Sequence, residues 1–328
     1  MRFEVKAAWK DAFFASPGPS SLKAAGMLLL KGLCMGSADV IPGVSGGTVA
    51  LITGIYEDLI QALKSFDATA VKKVLNLDLT GALAGVHIRF LLCLLAGIGI
   101  AIVSFARLLN YLLNHYPTFT WSLFFGLIAA SILVVSRQVA IWTAGAGISL
   151  VLGSVAGALI VNLIPMSTPD ALWFIFLCGV IAICAMILPG ISGAFILLIL
   201  GKYEFITATL KNPFEPQQLM IIIVFCLGCL IGLLSFARLL NYLLKNFRPF
   251  TLAFLTGLMA GSIKKIWPWK EIIDTKLIGG NPRVIWGANK IPETLNTEVL
   301  IALGFATCGF IAVLIIERLA RAKKSDSG

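Results

Sequence analysis

Apolar residues occur in long runs along this chain, and short polar segments separate the runs. Six runs are continuous, at about residues 88–113, 119–139, 141–163, 218–244, 250–266 and 298–317. Because a helix of about 20 apolar residues crosses the hydrocarbon core of a bilayer, each run predicts a transmembrane helix. The pattern therefore predicts an all-α polytopic membrane protein.

Two further apolar runs, 24–63 and 171–210, are interrupted near their middle. The first break contains Pro42-Gly43 and Gly46-Gly47, and the second contains Pro189-Gly190. Proline lacks the amide hydrogen and disfavours helix in the residue before it, so each run predicts two helical arms joined by a sharp turn. Each arm has about 17 residues, which leaves a re-entrant hairpin and two short spanning helices both open.

The two halves of the chain repeat the same motifs in the same order. Pro42-Gly43-Val44-Ser45-Gly46-Gly47 recurs as Pro189-Gly190-Ile191-Ser192-Gly193-Ala194, and the string Ser104–Leu113 recurs unchanged as Ser235–Leu244. Each half would hold one broken hairpin and three crossings. Since three is odd, the second half enters the membrane from the opposite side, and the repeats are predicted to be inverted.

The repeat divides the chain into four predicted segments. They are an amphipathic N-terminal segment 1–23, a first membrane repeat 24–165, a second membrane repeat 166–317 and a basic polar tail 318–328. The N-terminal segment alternates charged residues with aromatic ones. This mixture predicts a helix on the membrane surface and leaves no apolar core for a cleaved signal peptide.

Composition agrees with a membrane protein. Hydrophobic residues make up 59% of the chain and charged residues 13%, against about 25% charged residues in soluble domains. The formal charge of +10 requires no nucleic acid, because basic residues cluster near the chain ends and in a few loops, as cytoplasmic anchors do. The seven cysteines lie in apolar runs without metal-ligand company, so we expect them to pack in the protein, with no metal site and no cofactor.

Loop charge predicts that both termini lie in the cytoplasm. One polar stretch, 264–297, disagrees with this assignment because it falls on the predicted outer side and yet is basic. Its basic residues are Lys264, Lys265, Lys270, Lys276, Arg283 and Lys290. The sequence offers no physical account of this excess.

The breaks are the first candidate binding site. The helix after the first break begins near Ser45, which is predicted to cap it, and the glycines let a ligand approach its free amides. A helix N-terminus in the membrane interior attracts anions. The candidate residues are Ser45, Gly46, Gly47, Ser192 and Gly193. A tight turn between packed helices is the alternative.

The repeated string provides a second candidate. It places Arg107 with Asn110 in the first half, and Arg238 with Asn241 in the second. An arginine within the membrane is a functional candidate by default, and its guanidinium matches phosphate oxygens in a bidentate way. Snorkelling of the side chain to nearby headgroups is the alternative, since each arginine lies near the end of its helix.

Three acidic residues, Asp39, Glu57 and Glu204, are candidates for proton uptake in a coupled cycle. Glu57 and Glu204 could instead pair with the two arginines. The favoured interpretation of the repeat mates Glu57 and Glu204 is that they end hairpin arms at the membrane interface.

An enzyme must also be considered, because Gly43-Val44-Ser45-Gly46-Gly47 matches the nucleophile motif Gly-x-Ser-x-Gly. A serine nucleophile needs a base. The only histidines, His87 and His115, lie near helix ends, and the motif lacks a strand-to-helix context. A membrane lipid phosphatase lacks a nucleophile and base in the same way. We therefore predict no catalytic residue and no enzymatic activity.

In combination, the twin Pro-Gly-[Val/Ile]-Ser-Gly motifs, the lead-in Gly36–Gly43 and the repeated Ser-Phe-Ala-Arg string resemble the bacterial polyprenyl-phosphate transporters over about residues 24–317. The second motif departs from the first, with Met186 in the place of Asp39 and Ala194 in the place of Gly47.

The resemblance implies a multi-pass protein of the bacterial inner membrane. Its partners would be membrane lipids and undecaprenyl phosphate, which it would return from the outer to the cytoplasmic leaflet for reuse in cell-envelope synthesis. A transporter or channel for a small anion is the alternative function.

Overall fold

The computed structural model describes residues 2–40, 45–163, 168–209, 215–278 and 281–325. The first half of the chain forms α1 (Arg2–Ala15), α2 (Leu22–Val40), α3 (Gly46–Ile52), α4 (Tyr56–Lys64), α5 (Ala68–Leu75), α6 (Leu79–Gly85), α7 (Ile88–His115), α8 (Pro117–Ser136) and α9 (Ala144–Val161). The second half forms α10 (Leu172–Ile187), α11 (Gly193–Ile199), α12 (Tyr203–Thr209), α13 (Pro216–Asn246), α14 (Arg248–Ser262), a 3-10 turn (Ile263–Ile266), β1 (Lys270–Ile278), β2 (Asn281–Asn289) and α15 (Thr297–Ser325).

All six continuous apolar runs form helices, as predicted. They are α7, α8, α9, α13, α14 and α15. Among the described residues, four helices are long and apolar enough to cross a membrane: α8, α9, α13 and α15. α7 has 28 residues and follows α6 after a bend of 69°. The chain is a multi-pass helical membrane protein.

The two broken runs form hairpins whose second arms are shorter than predicted. Lys31 on α2 donates a hydrogen bond of 2.8 Å to the carbonyl of Thr53, just after α3, so the chain reverses direction between these helices. α3 and α11 have seven residues each, about 10 Å of helix against a hydrocarbon core of roughly 30 Å. Neither crosses a bilayer by itself.

A second turn explains the short arms. Gly54 and Gly201 adopt φ of +72° and +65°, in the left-handed region that glycine enters without steric cost. Each glycine lies two residues after the end of a seven-residue helix, and a new helix begins two residues later at Tyr56 or Tyr203. The prediction of one continuous second arm is therefore wrong. The first break, Ile41 to Val44, lies outside the described residues.

The polar stretches contain more structure than predicted. Asp67 caps α5 by accepting from the amide of Ala70, and Asp78 caps α6 by accepting from the amide of Gly81. The stretch 267–297 contains an antiparallel β-hairpin, which is the one sheet in the described part of the chain. Gly279-Gly280 between the strands is a hairpin-turn signal. α15 also continues to Ser325, into the predicted tail.

Glycines bring α9 and α14 into backbone contact. A methyl group on Gly153 would overlap the carbonyl of Phe254, and one on Gly157 would overlap the carbonyl of Leu258. Gly257 and Gly261 lie equally close to the backbone of α9. Because the register advances along both helices together, α9 and α14 run in the same direction. This small-residue spacing is the usual means of close packing between membrane helices.

The helices α8 and α15 also run in the same direction where they pack together. Phe119 stacks on Phe305 near the start of α15, with ring centroids 5.7 Å apart. Farther along both helices, Arg137 lies 3.8 Å from the carboxylate of Glu317. The last helix of each half thus packs in parallel against the second long helix of the other half.

The first arm of each hairpin packs in parallel against the long helix that follows the hairpin. On α2, Gly32 contacts Leu94 and Gly36 contacts Ile98 of α7. On α13, Gly228 contacts Phe176 and Gly232 contacts Val180 of α10. The largest buried cluster joins the hairpins to α13 and α14, and it includes Tyr56, Ile60, Leu94, Leu240 and Met259.

Candidate functional site

The start of the helix after the first break meets the second break inside the protein. The buried hydroxyl of Ser45 donates to the carbonyl oxygens of Met186 and Leu188, at 3.1 Å from each. Thr48 Oγ1 accepts from the amide of Gly190 at 3.1 Å, and the Tyr56 hydroxyl donates to the Ile187 carbonyl at 3.2 Å. The second arm of the first hairpin therefore satisfies the backbone groups freed by the second break. We call this contact region the break junction.

Protein acceptors already occupy the start of α3. Ser45 Oγ accepts from the amide of Gly47 at 3.1 Å, so the predicted N-cap is confirmed. Asp39 Oδ1 accepts from the amide of Gly46 at 2.7 Å. A carboxylate thus lies where an anionic ligand would bind a helix N-terminus. The second break differs, because Ser192 sits at the N-cap of α11 without a capping hydrogen bond from its side chain.

α14 closes the break junction from a third side. Gly190 has φ of +86°, and a Cβ there would lie 2.8 Å from Ser262 Oγ and 2.9 Å from Met259 Cα. Only glycine adopts this positive φ and leaves room for Ser262 and Met259 without strain. Ser262 ends α14, so the 3-10 turn begins directly beside the second break.

Two lysines after Ser262 lie next to aromatic rings. Lys265 Nζ is 4.5 Å from the ring centroid of Phe195 on α11, and Lys270 Nζ is 4.6 Å from that of Trp121 on α8. The Lys270 ammonium also donates to the carbonyl of Lys265. Burial, with the positive charge of Lys265, lowers the pKa of Lys270 to about 8, and burial also lowers the pKa of Lys265.

An apolar groove begins on the other side of the break junction, at Leu188. It has a volume of about 390 Å³. It is lined by Leu188, Phe236, Leu240, Leu243, Phe247, Phe250, Thr251, Phe254 and Leu255. Thr251 has the one hydroxyl in this lining, and that hydroxyl bonds the carbonyl of Phe247 at 2.9 Å. The groove surface therefore suits a hydrocarbon chain.

The described contacts do not bring Arg238 to the break junction. Its exposed guanidinium donates to the carbonyl of Phe66 at 2.8 Å, beyond the end of α4, and to that of Leu234 at 3.1 Å on its own helix. Asn241, one turn farther along α13, is buried. Arg107 and Asn110 lie on α7, and their side chains are outside the described part of the structure.

The remaining predicted residues have diverse positions. Glu57 forms an ion pair of 2.8 Å with Arg248 at the start of α14, and Glu204 is exposed at the start of α12. Gly46 and Gly47 are buried in α3, and Gly193 lies against Ala182 of α10.

Sequence reasoning missed several residues of this region. They are Thr48, Tyr56, Trp121, Ser262, Lys265 and Lys270. The basic excess in 264–297 was the available signal for the two lysines.

The chain matches a known protein family over most of its length. The profile of the VCA0040-like family, described as undecaprenyl phosphate translocase-like, matches residues 35–279. The chain belongs to this family. The matched range contains both breaks, both copies of the repeated string, Lys265 and Lys270.

Two relatives carry the same name. A polyprenyl-phosphate transporter of Vibrio cholerae serotype O1 is 40% identical over 298 residues, which is 89% of this chain and 96% of the relative. A polyprenyl-phosphate transporter of Staphylococcus aureus is 28% identical over 259 residues, covering 73% of this chain and 85% of the relative. No solved structure matches the chain. The predicted resemblance is confirmed, and the family is one of transporters.

Proposed function

We propose that this protein translocates undecaprenyl phosphate from the outer to the cytoplasmic leaflet of the bacterial inner membrane, for reuse in cell-envelope synthesis. Membership of the translocase-like family supports transport of this class of lipid. The observation that carries the proposal is the break junction, where polar backbone and hydroxyl groups lie next to an apolar groove.

The two surfaces match the two parts of the substrate. A phosphate monoester carries between one and two negative charges at neutral pH, by analogy with phosphorylated side chains, and it cannot cross hydrocarbon unpaired without a large penalty. Amides and hydroxyls at the junction supply hydrogen-bond partners. The groove from Leu188 to Phe247 and Phe250 supplies an apolar path for the start of the tail. A small-anion channel has no use for such a groove, so the lipid is favoured.

The proposed phosphate contacts at the junction are Ser45, Gly46, Gly47, Ser192 and Gly193. The Gly46 amide is bound to Asp39 in this conformation, so phosphate would have to displace the carboxylate. Protonation of Asp39 would weaken its hold on that amide, which makes Asp39 the best-placed of the proposed coupling residues. Glu57, held by Arg248, and the exposed Glu204 are less directly connected to the junction.

Inverted repeats would give the transport cycle its two alternating states. The parallel packing of α9 with α14 and of α8 with α15 supports inversion. In the sequence, α14 corresponds to α8. Successive crossings run in opposite directions, so α8 and α9 are antiparallel. Because α14 runs parallel to α9, it runs opposite to its counterpart α8, as an inverted second repeat requires.

Arg107 and Arg238, with Asn110 and Asn241, are proposed to contact the phosphate at opposite ends of its path. Arg238 is bonded to Phe66 in this conformation, so its proposed role belongs to a step in which that contact opens.

The test is movement of a labelled polyprenyl phosphate between leaflets of proteoliposomes. The wild-type protein should accelerate it, and alanine at both Arg107 and Arg238 should reduce it. A lost charge-assisted hydrogen bond is worth about 1.5–3 kcal/mol, or about tenfold to a hundredfold in affinity. Arg107→Lys should also impair transport, since lysine lacks the planar fork.

Arg137→Ala is the matched control, because this arginine also lies at a helix end but pairs with Glu317. Wild-type liposomes that release a small anion and leave the lipid unmoved would favour the alternative function. Unchanged lipid transport in the double alanine variant would show that the two arginines only snorkel.

A further inference from the structure

Lys265 and Lys270 bring two positive charges together in a partly buried place. Both side chains are of intermediate exposure, and the ammonium of Lys270 reaches the backbone of Lys265. Among the described side chains, neither lysine has a carboxylate within ion-pair distance. Half-buried charges are normally paired, because burial without a partner disfavours the charged form.

The electrostatics of the pair favour an anion. Burial lowers the pKa values of both lysines, and the positive charge of Lys265 lowers the pKa of Lys270 further. An anion placed between them would relieve the repulsion and replace the lost hydration. The rings of Phe195 and Trp121 lie within cation–π distance of the two ammonium groups and hold the stems in place. The arrangement is a preformed cationic pair suited to binding an anion.

The position of the pair connects it to both hairpins. Gly190 of the second break packs on Ser262, and Phe195, just after that break, contacts Lys265. Ile266 belongs to the same buried cluster as Ala38, which precedes Asp39 in the first hairpin. An anion bound to the lysines would therefore lie beside the break junction.

The pair also marks one end of the molecule. Trp121 lies near the start of α8, and Phe119 stacks on the start of α15, so the lysines lie at the end of the helix bundle that contains the α7–α8 connection. In the first repeat, α8 is the counterpart of α14, and Arg137 at the C-terminal end of α8 is paired with Glu317. The apolar groove runs in the other direction, toward Phe247 at the end of α13.

We infer that Lys265 and Lys270 form the first binding site for the phosphate monoester headgroup of the lipid substrate, before it passes to the break junction. This inference rests on the proposed function. It places first contact on the β-hairpin side of the membrane and release on the groove side. It also accounts for basic residues on a side where the positive-inside rule does not expect them.

The test measures binding of a short-chain polyprenyl phosphate to the purified full-length protein in nanodiscs of uncharged lipid. The double variant Lys265→Gln, Lys270→Gln should bind at least tenfold more weakly, because each lysine would lose a charge-assisted hydrogen bond to the phosphate. Its binding should also depend less on salt than that of the wild type. Lys264→Gln is the matched control, since Lys264 is an exposed neighbour on the same turn.

Two comparisons make the result specific. Arginine at both positions should restore binding, because it keeps the charge. Inorganic phosphate should compete only weakly, and phosphatidylglycerol, a diester, should compete less than a polyprenyl phosphate. If inorganic phosphate or phosphatidylglycerol competed more strongly than a polyprenyl phosphate, the assignment of a lipid monoester would be overturned. Thermal unfolding of the glutamine variant checks that the fold is kept, because the substitutions remove two cation–π contacts and a hydrogen bond together with the repulsion between the charges.

The outcomes separate this inference from the proposed function. Wild-type protein that transports the lipid, with a double glutamine variant that binds and transports equally well, would overturn the lysine site alone. Wild-type protein that moves no polyprenyl phosphate would overturn the proposed function, whatever the lysine variants do.

Discussion

The side chain of Ser45 makes hydrogen bonds within both hairpins. Its hydroxyl caps α3 and also donates to the backbone of the second break. Its repeat mate Ser192 lies in a similar motif and makes no capping bond. The repeat is therefore asymmetric at the level of residues, and the departure of Met186 from Asp39 is part of the same asymmetry.

This asymmetry predicts different effects of two matched substitutions. Ser45→Ala should lower the free energy of unfolding by about 1–2 kcal/mol, since it removes a helix cap and a buried hydrogen bond. Ser192→Ala should change it by less than about 0.5 kcal/mol, because no described hydrogen bond is lost. Denaturant unfolding in detergent micelles measures both. Equal losses would contradict the distinction.

Ser45→Ala should also weaken lipid binding while leaving some transport, because neighbouring amides remain. Covalent capture of Ser45 by a fluorophosphonate would instead indicate a nucleophile.

At the scale of elements, α9 and α14 hold the two halves together through backbone contact. Gly153 and Gly157 face α14, and Gly257 and Gly261 face α9. Membrane helices gain no hydrophobic driving force from packing against each other, so close van der Waals contact between small residues takes its place. A side chain at these positions would separate the helices and move Ser262 away from Gly190.

Two glycines on α9 test this contact. Gly157→Ala should destabilise the protein by about 1–3 kcal/mol, because its methyl group meets the backbone of α14. Gly147→Ala should be neutral or stabilising by up to about 1 kcal/mol, because nothing lies within 4 Å of the added methyl group. Thermal unfolding and lipid transport are measured for both. Destabilisation by the Gly147 substitution alone would show that the contact is assigned to the wrong glycine.

At the scale of the whole molecule, the packing directions predict which loops share a side of the membrane. α15 starts beside the start of α8, so residues before α15 lie at the same end of the bundle as His115. Thr69 on α5 lies at the opposite end of α7.

Single cysteines, introduced after replacement of the seven native ones, test this arrangement. His115→Cys and Glu293→Cys should react with an impermeant thiol reagent from one side of the membrane, and Thr69→Cys from the other. Labelling of positions 115 and 69 from the same side would contradict the inverted topology. Labelling of positions 293 and 69 from the same side would contradict the first-contact side inferred for the lysines.

Local sequence determined much of this architecture. The lengths of the apolar runs set the six long helices, since a bilayer of fixed thickness requires runs of that length. Proline and glycine set the breaks through backbone sterics, and the repeated motifs carried the family resemblance. Ser45 was recognisable as a cap because capping acts over two or three residues.

Tertiary structure decided what these elements do to one another. Ser45 meets Met186 across 141 positions of sequence, a pairing that no local periodicity encodes. The same is true of Arg238, whose guanidinium donates to the carbonyl of Phe66 in the other half. It is also true of Lys265 and Lys270, which follow α14 in the sequence and contact rings of α11 and α8 beside the break junction. Helix propensity and hydropathy describe only how each segment by itself prefers to fold and whether it prefers water or lipid. Contacts between distant segments depend on how the helices pack, and that packing placed the candidate site.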